Sequence, residues 1–169
     1  MGVTVRAATA ADRAFALGLV PRLRAFGPPP LRPAEALDGA ERRALERAFA
    51  DTPPDALLLV AESAQLGPIG VAYAETQTDY FTHERHGHLA ILIVAESGEG
   101  QGAGRALIAA CEAWAVSRGY RYVTLNVFAA NERARAVYER AGYAPDTVRY
   151  AKTLARVDHA APEGAAHGG

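Results

Sequence analysis

The chain has 169 residues, 50% of them apolar and 22% charged, and its 18 Lys+Arg against 19 Asp+Glu leave a formal net charge of -1. This is enough ordinary globular chain to close one core, so residues 1–155 are expected to form a single domain. The charge balance gives no footprint for a nucleic acid or an anionic membrane surface, and no stretch reaches the roughly 20 apolar residues of a membrane span.

One cysteine, Cys111, cannot form an internal disulfide, and the opening segment MGVTVRAATAADRAF has no uninterrupted apolar run. A cytoplasmic, reducing setting is the expectation. Along the chain, Val3–Ala7 reads as a strand, and Thr9 offers an N-cap oxygen to a helix through Asp12, Phe15, Leu19 and Leu23 toward Phe26. The prolines of GPPPLRP then forbid helix and predict a stiff surface connector. A second helix is expected over about Ala40–Ala50, with Leu45, Ala48 and Phe49 on one face, ended by Asp51-Thr52-Pro53-Pro54.

The period then changes from helical to extended. Ala56–Glu62 and Ile69–Thr76 read as an antiparallel hairpin around the Gly67-Pro68 turn. The polar segment TQTDYFTHERHG reads as a loop before the strand His88–Val94, whose nearly continuous apolar run predicts burial on both faces. A glycine-rich loop leads into a helix over Gly102–Ser117 with Leu107, Cys111 and Trp114 on one stripe and Gly119 as its left-handed cap. Tyr122–Phe128 is the next expected strand, Asn131–Ala141 the last helix, and Tyr143–Leu154 one or two closing strands. The small, polar residues 156–169 read as a disordered tail. Strand, loop, helix, strand in the second half implies a parallel pair with a crossover, whereas the first half implies a meander, so the fold class is mixed α/β.

Residues 98–104, Gly-Glu-Gly-Gln-Gly-Ala-Gly, sit between a strand and a helix start. Glycine disfavours a helical first turn unless something must approach the backbone, and free N–H groups at the positive end of a helix dipole suit a phosphate. Arg105 in that first turn opposes the dipole, a placement that makes sense beside an anion. A tight turn with no ligand explains the glycines too. A nucleoside-triphosphate loop is excluded, because no lysine stands near. A dinucleotide fingerprint on Gly98, Gly100 and Ala103 lacks the carboxylate expected at the end of the next strand, which reads Leu125-Asn126-Val127-Phe128. A nicotinamide-dependent oxidoreductase is therefore disfavoured.

ILIVAESGEGQGAGRALI followed by NERARAVYERAGY resembles the two signature regions of the GCN5-related N-acetyltransferases, which transfer acetyl groups from acetyl-coenzyme A to amines. The family's loop pattern, Gln/Arg-x-x-Gly-x-Gly/Ala, is met at Gly102 and Gly104 but has Glu99 at its first position, and Gln101 stands two places too late to substitute. The second region, Asn131-x-x-Ala134-x-x-x-Tyr138-x-x-x-Gly142-Tyr143, fits throughout. The resemblance implies a central mixed, mostly antiparallel sheet with a splayed parallel strand pair, flanked by helices. It also implies acetyl-CoA as co-substrate, its pantetheine arm pairing with the backbone of Leu92, Ile93 and Val94. Its diphosphate would lie on the loop of Glu99, Gly100, Gln101, Gly102, Ala103, Gly104 and Arg105, with Asn131 touching the coenzyme as well as capping its helix.

Direct attack of an amine on a thioester needs an unprotonated amine, an oxyanion stabiliser and a proton for the departing thiolate. The resemblance gives the second role to a strand N–H near Ile93 or Val94 and the third to Tyr138, whose phenol, with an ordinary pKa of about 10, stays protonated at neutral pH. For the base, the segment Asp79–His88 offers Glu84 and His88 because they adjoin that strand. Histidines 83, 86 and 88 do not have the spacing of a helical zinc motif, and no metal is expected. The resemblance implies a small-molecule or peptide amine as acceptor; Asp79 and Glu84 are suited to attract a cationic amine, and plain surface charge explains them too. A non-catalytic acyl-CoA sensor on the same fold is the alternative, and a homodimer is open, since no exposed apolar stripe identifies an interface.

Overall fold

The computed structural model describes residues 2–25 and 31–154. Phe26, the Gly27–Pro30 part of the connector and the expected tail lie outside the described residues. Five strands form one sheet in chain order: β1 (Val3–Ala7), β2 (Ala56–Ser63), β3 (Gly67–Thr78), β4 (Arg85–Val94) and β5 (Val123–Leu125). The first four are joined antiparallel, and β5 lies parallel to β4. The mixed α/β class and the strand–loop–helix–strand unit stand as expected from the change of period.

The helices are α1 (Arg13–Leu19), α2 (Ala34–Ala50), α3 (Ala103–Ser117) and α4 (Glu132–Arg140). The single first helix expected from the spacing is divided. A 3₁₀ turn, Ala10–Asp12, precedes α1 and another, Val20–Arg24, follows it, where Pro21 has no N–H to extend an α-helical ladder. Buried Asp12 fixes the start by accepting from the Thr9 N–H at 2.8 Å and from Arg6 at 2.8 and 2.9 Å. α2 begins six residues before the expected Ala40, because the Pro33 carbonyl accepts from Ala36 and Leu37 at 3.1 and 3.4 Å. That opening, residues 34–39, has Leu37 as its one large apolar residue and includes Asp38-Gly39, so apolar spacing does not reveal it.

The sheet carries apolar residues on both faces. Val71, Tyr73, Ile91 and Ile93 pack against Ala16, Leu17 and Val20 near α1 and against Leu45 and Ala48 of α2. Ala72, Ala74 and Leu89 on the other face pack against Leu107, Ile108 and Cys111 of α3. This two-sided burial is what the unbroken apolar run of β4 requires. Burial also pushes the Cys111 thiol up to about 12, so it is a core residue rather than a nucleophile.

Three other expectations are corrected. β4 starts at Arg85, so Arg85-His86-Gly87 is strand rather than loop, and the β3–β4 connection shrinks to residues 79–84. β5 holds only Val123–Leu125, not the whole of Tyr122–Phe128. Residues 144–154 form no strand, and Val148, Tyr150 and Leu154 are exposed, so their side chains bury no apolar surface that would hold them to the sheet.

Candidate active site

The site begins where pairing between β4 and β5 stops. Gly87, His88 and Leu89 pair with Val123, Thr124 and Leu125, and beyond Leu89 the strands separate. Ala90 is an exposed extra residue there: the β3 partner of Leu89 is Ala74 and that of Ile91 is Tyr73, adjacent residues, so β4 carries a bulge at the point of separation. From Ile91 to Val94 the strand is paired only on its β3 side.

Alternation decides which backbone groups face the opening. The Ala95 N–H donates to the Ile69 carbonyl at 2.8 Å, and Ile93 sits opposite Val71 two residues earlier. The amides and carbonyls of Ile91 and Ile93 therefore point into β3, and those of Leu92 and Val94 point into the gap. The Val94 carbonyl accepts from Arg22 Nε at 2.9 Å, as a group facing away from β3 would. Of the three strand residues expected to offer backbone groups, Leu92 and the Val94 N–H can do so; the Val94 carbonyl is taken by Arg22, and Ile93 is spent on the sheet.

The glycine loop continues this edge. A 3₁₀ turn, Glu96–Gly98, is followed by Glu99 and then by Gly100 (φ 73°) and Gly102 (φ 85°). Gly98 has a different reason for being glycine: a Cβ there would lie 2.8 Å from the Ile69 carbonyl oxygen. Gly102 is the N-cap of α3, with open space where a Cβ would be, so backbone conformation rather than crowding demands glycine there. The first hydrogen bond of α3 runs from the Ala106 N–H to the Gly102 carbonyl at 2.9 Å. The amides of Ala103, Gly104 and Arg105 precede it and make no backbone hydrogen bond among the described residues. Gln101 turns back instead, its Nε2 donating to the Ser97 carbonyl at 2.5 Å.

Glu99 is paired on both oxygens, with Arg22 Nη2 at 2.5 Å and Arg133 Nη2 at 2.8 Å. The two guanidiniums, Arg133 foremost, hold its carboxyl below the ordinary glutamate value. Asn131 Oδ1 accepts from the Ala134 N–H at 3.1 Å, the expected N-cap of α4. Gly142 (φ 94°) closes the same helix, and the Tyr143 N–H reaches the Tyr138 carbonyl at 3.0 Å. Tyr138 packs against the α3-side cluster that Leu92 and Val94 also join, with its ring 6.0 Å from that of Tyr143. Burial pushes the Tyr138 phenol up to about 12.

The two residues considered as base are separated by their surroundings. Glu84 lies in the β3–β4 turn, its carboxylate exposed and 3.5 Å from Arg121. His88 is 7% exposed, opposite Glu75 on β3, and its Nδ1 lies 2.8 Å from the Thr124 hydroxyl. The same hydroxyl lies 3.1 Å from His86 Nε2, so Thr124 bridges the two imidazole rings. Burial lowers the His88 pKa, favouring the neutral imidazole. Asp79 is occupied in shaping its turn, accepting from the N–H groups of Phe81 and Thr82 at 3.0 and 2.7 Å. Glu75, Thr124, Arg22 and Arg133 were not singled out from the sequence; only strand register and tertiary folding bring them to the expected residues.

Among the described residues no helix is long and apolar enough to cross a membrane, and no three His, Cys, Asp or Glu side chains are grouped to hold a metal ion. A groove of about 380 Å³ lined by Glu112, Tyr120, Tyr122 and Tyr143 lies beside β5, and none of the glycine-loop residues line it.

Residues 9–143 match the model of the acetyltransferase (GNAT) family. The chain belongs to that family. A mycothiol acetyltransferase of Jonesia denitrificans is 36% identical over 86 residues, a match that spans 51% of this chain and 26% of that relative. Among solved GNAT structures, a GCN5-related N-acetyltransferase of Ralstonia eutropha JMP134 superposes with a TM-score of 0.66 at 24% identity, covering 90% of this chain and 99% of the other. A ribosomal-protein-alanine N-acetyltransferase of Brucella melitensis biovar Abortus 2308 gives 0.65 at 22% identity over 90% and 100%. The aminoglycoside acetyltransferase AAC(6')-Iy, solved with a CoA-linked bisubstrate analogue, gives 0.67 at 20% identity over 91% and 100%. These three likenesses show that the GNAT fold is shared.

Proposed function

We propose that this GNAT chain is an N-acetyltransferase that takes its acetyl group from acetyl-CoA and passes it to a primary amine, with residues 1–155 as one acyltransferase domain. The observation that carries the reading is the continuity of the open edge of β4 with the unpartnered amides of Ala103, Gly104 and Arg105. An extended amide-bearing arm fits the first part, and a diphosphate fits the second. Gly100, Gly102 and the Asn131-capped start of α4 border the same path.

The coenzyme supplies an acyl thioester; the chain's own groups supply the rest. The Val94 N–H faces the gap and is placed to stabilise charge on a carbonyl oxygen beside it. Tyr138 keeps its proton across the neutral range and gives it to a departing thiolate. His88 is the base of choice over Glu84, because it stands immediately before the separation of the strands and prefers its neutral form. It removes a proton from the incoming ammonium, directly or through water, with Thr124 fixing the ring.

The acceptor lies on the α1–α2 side of the gap, which is the side His88 and Glu75 share. Relatives named for mycothiol, aminoglycoside and ribosomal-protein-alanine acetylation leave a small polar amine and a peptide amine both within reach. The test is an amine panel with acetyl-CoA, read by free-thiol release and product mass. Acetylation of at least one panel amine, dependent on Tyr138, is expected. Coenzyme binding without transfer to any amine would leave the acyl-CoA sensor in its place, and no coenzyme binding would end both.

A further inference from the structure

His88 stands in a row across three strands, with Glu75 opposite it on β3 and Thr124 opposite it on β5. The Thr124 hydroxyl takes the Nδ1 side of the ring at 2.8 Å, so the Nε2 side points away from β5. The next row, Gln77 with His86, braces the first: Gln77 Nε2 donates to Glu75 Oε1 at 3.1 Å, and His86 Nε2 lies 3.1 Å from the same Thr124 hydroxyl. The two rings differ in their remaining nitrogens. His86 Nδ1 is sealed from solvent without a partner, its ring stacked on that of Tyr122 at 4.7 Å, whereas His88 Nε2 is not among the sealed polar atoms. His88 is thus a ring only 7% exposed that keeps one nitrogen unpaired among the described residues, on the face of the sheet it shares with Glu75.

Glu75 is the acid that this end of the sheet leaves without a cation. Asp55 pairs with Arg85 at 2.6 Å, Glu84 lies 3.5 Å from Arg121, and Asp79 is spent on its own turn. Half-buried Glu75 makes no ion pair among the described residues. Burial and Glu75 push the Tyr73 phenol up, and Arg47 of α2 acts against them without pairing with the carboxylate. Withdrawing a carboxylate from water without a cation costs stability, so a cationic ligand is the partner it fits. An ammonium has three donors, enough to reach the Glu75 carboxylate and His88 Nε2 together. We propose that Glu75 is the specificity residue of this acetyltransferase: it seats the acceptor as an ammonium beside His88 and rejects amines that carry a carboxylate next to the reacting nitrogen. The inference rests on the acetyl transfer to an amine proposed above. Neutral His88 holds its own proton on Nδ1, where the Thr124 hydroxyl accepts it. The ammonium proton moves to His88 Nε2, and the nitrogen keeps the freed electron pair for the thioester carbonyl. Glu75 then faces the imidazolium, whose charge the neighbouring His86 opposes and Glu75 favours.

The test is Glu75→Gln in the full chain, which keeps an oxygen for Gln77 and removes only the charge. With each amine that the panel yields, the KM for the amine is expected to rise about tenfold or more, while CoA affinity and melting temperature stay as in the wild type. The acid limb of kcat/KM against pH should move to lower pH, because the imidazolium loses the anion that favours it. Glu75→Asp should recover part of the amine affinity. Two matched pairs, tyramine with tyrosine and histamine with histidine, read the selection directly. The wild type should prefer the member without the carboxylate, and Glu75→Gln should narrow that preference several-fold. A wild-type KM with an unmoved acid limb in Glu75→Gln, a fall in CoA affinity as large as the rise in KM, or a wild-type preference for the carboxylated members would each overturn the proposal. A wild type that acetylates no amine of the panel would instead overturn the transferase reading beneath it.

Discussion

Between β3 and β4 nine residue pairs run from Gly70–Val94 to Thr78–Arg85, whereas between β4 and β5 only three join. The first region is covered on both faces and contains the fully buried Ile69, Val71, Leu107 and Ile108 on or against its strands. The second continues into α4, which has no buried residue. The difference locates function as well as stability: the antiparallel part holds β4 rigid from one side, and the short parallel part lets its other side stay open. A longer β5 would satisfy the Leu92 backbone groups and the Val94 N–H and remove the edge on which the proposed coenzyme track depends.

Two glycines of one loop separate these roles with the largest expected effects. Gly102→Val is expected to abolish coenzyme binding in a folded protein, because nothing crowds a side chain there but φ 85° is hostile to a β-branched residue, and the amides after it must turn. Gly98→Ala should do the reverse, lowering the melting temperature through the 2.8 Å approach to Ile69 while the loop keeps its shape. Circular dichroism melts alongside CoA titration decide both; normal CoA binding by Gly102→Val sinks the backbone-approach argument. In the packing itself, Leu107→Ala in α3 should cost about 3 kcal/mol and Val137→Ala in α4 about 1 kcal/mol. Equal costs by denaturant unfolding would erase the contrast between the halves.

The same contrast explains what the sequence could tell. Glycines at 98–104, the Asn131 cap and the Tyr138 spacing are local signals, and they survive in the structure as loop, N-cap and α4. β4 from His88 onward was legible because two-faced burial writes itself as a nearly unbroken apolar run. Arg85-His86-Gly87 was not, since these strand residues carry polar or absent side chains and a loop reads the same. The Arg22–Glu99 pair joins residues far apart in sequence, and the shared Thr124 hydroxyl depends on strand register; neither leaves a local trace. Tyr143–Leu154 failed as strands because apolar residues at Val148, Tyr150 and Leu154 do not by themselves secure burial against the sheet, and all three are exposed.

Tyr138 tests the open side at a smaller scale. With its phenol raised to about 12 by burial, it is protonated throughout the working range and has a proton to give. Tyr138→Phe is expected to lower kcat by about tenfold or more with little change in coenzyme affinity, the signature of a group that matters in the transition state. Unchanged turnover would return Tyr138 to the role of a ring packed against the α3-side cluster.

His88 gives the smallest effect, and its sign follows from burial. Its folded-state pKa is lowered from 6.5, so below that value the unfolded chain takes up protons that the folded chain resists. The stabilising contribution of neutral His88 is present above pH 6.5 and is lost as the pH falls beneath it. His88→Gln, which keeps a polar side chain beside Thr124 but cannot titrate, should flatten that part of the stability profile and also lower kcat/KM. Were stability to keep its acid slope in His88→Gln while activity fell, the residue would still serve as base, but the buried, neutral ring beside the point of strand separation would not be the reason that it can.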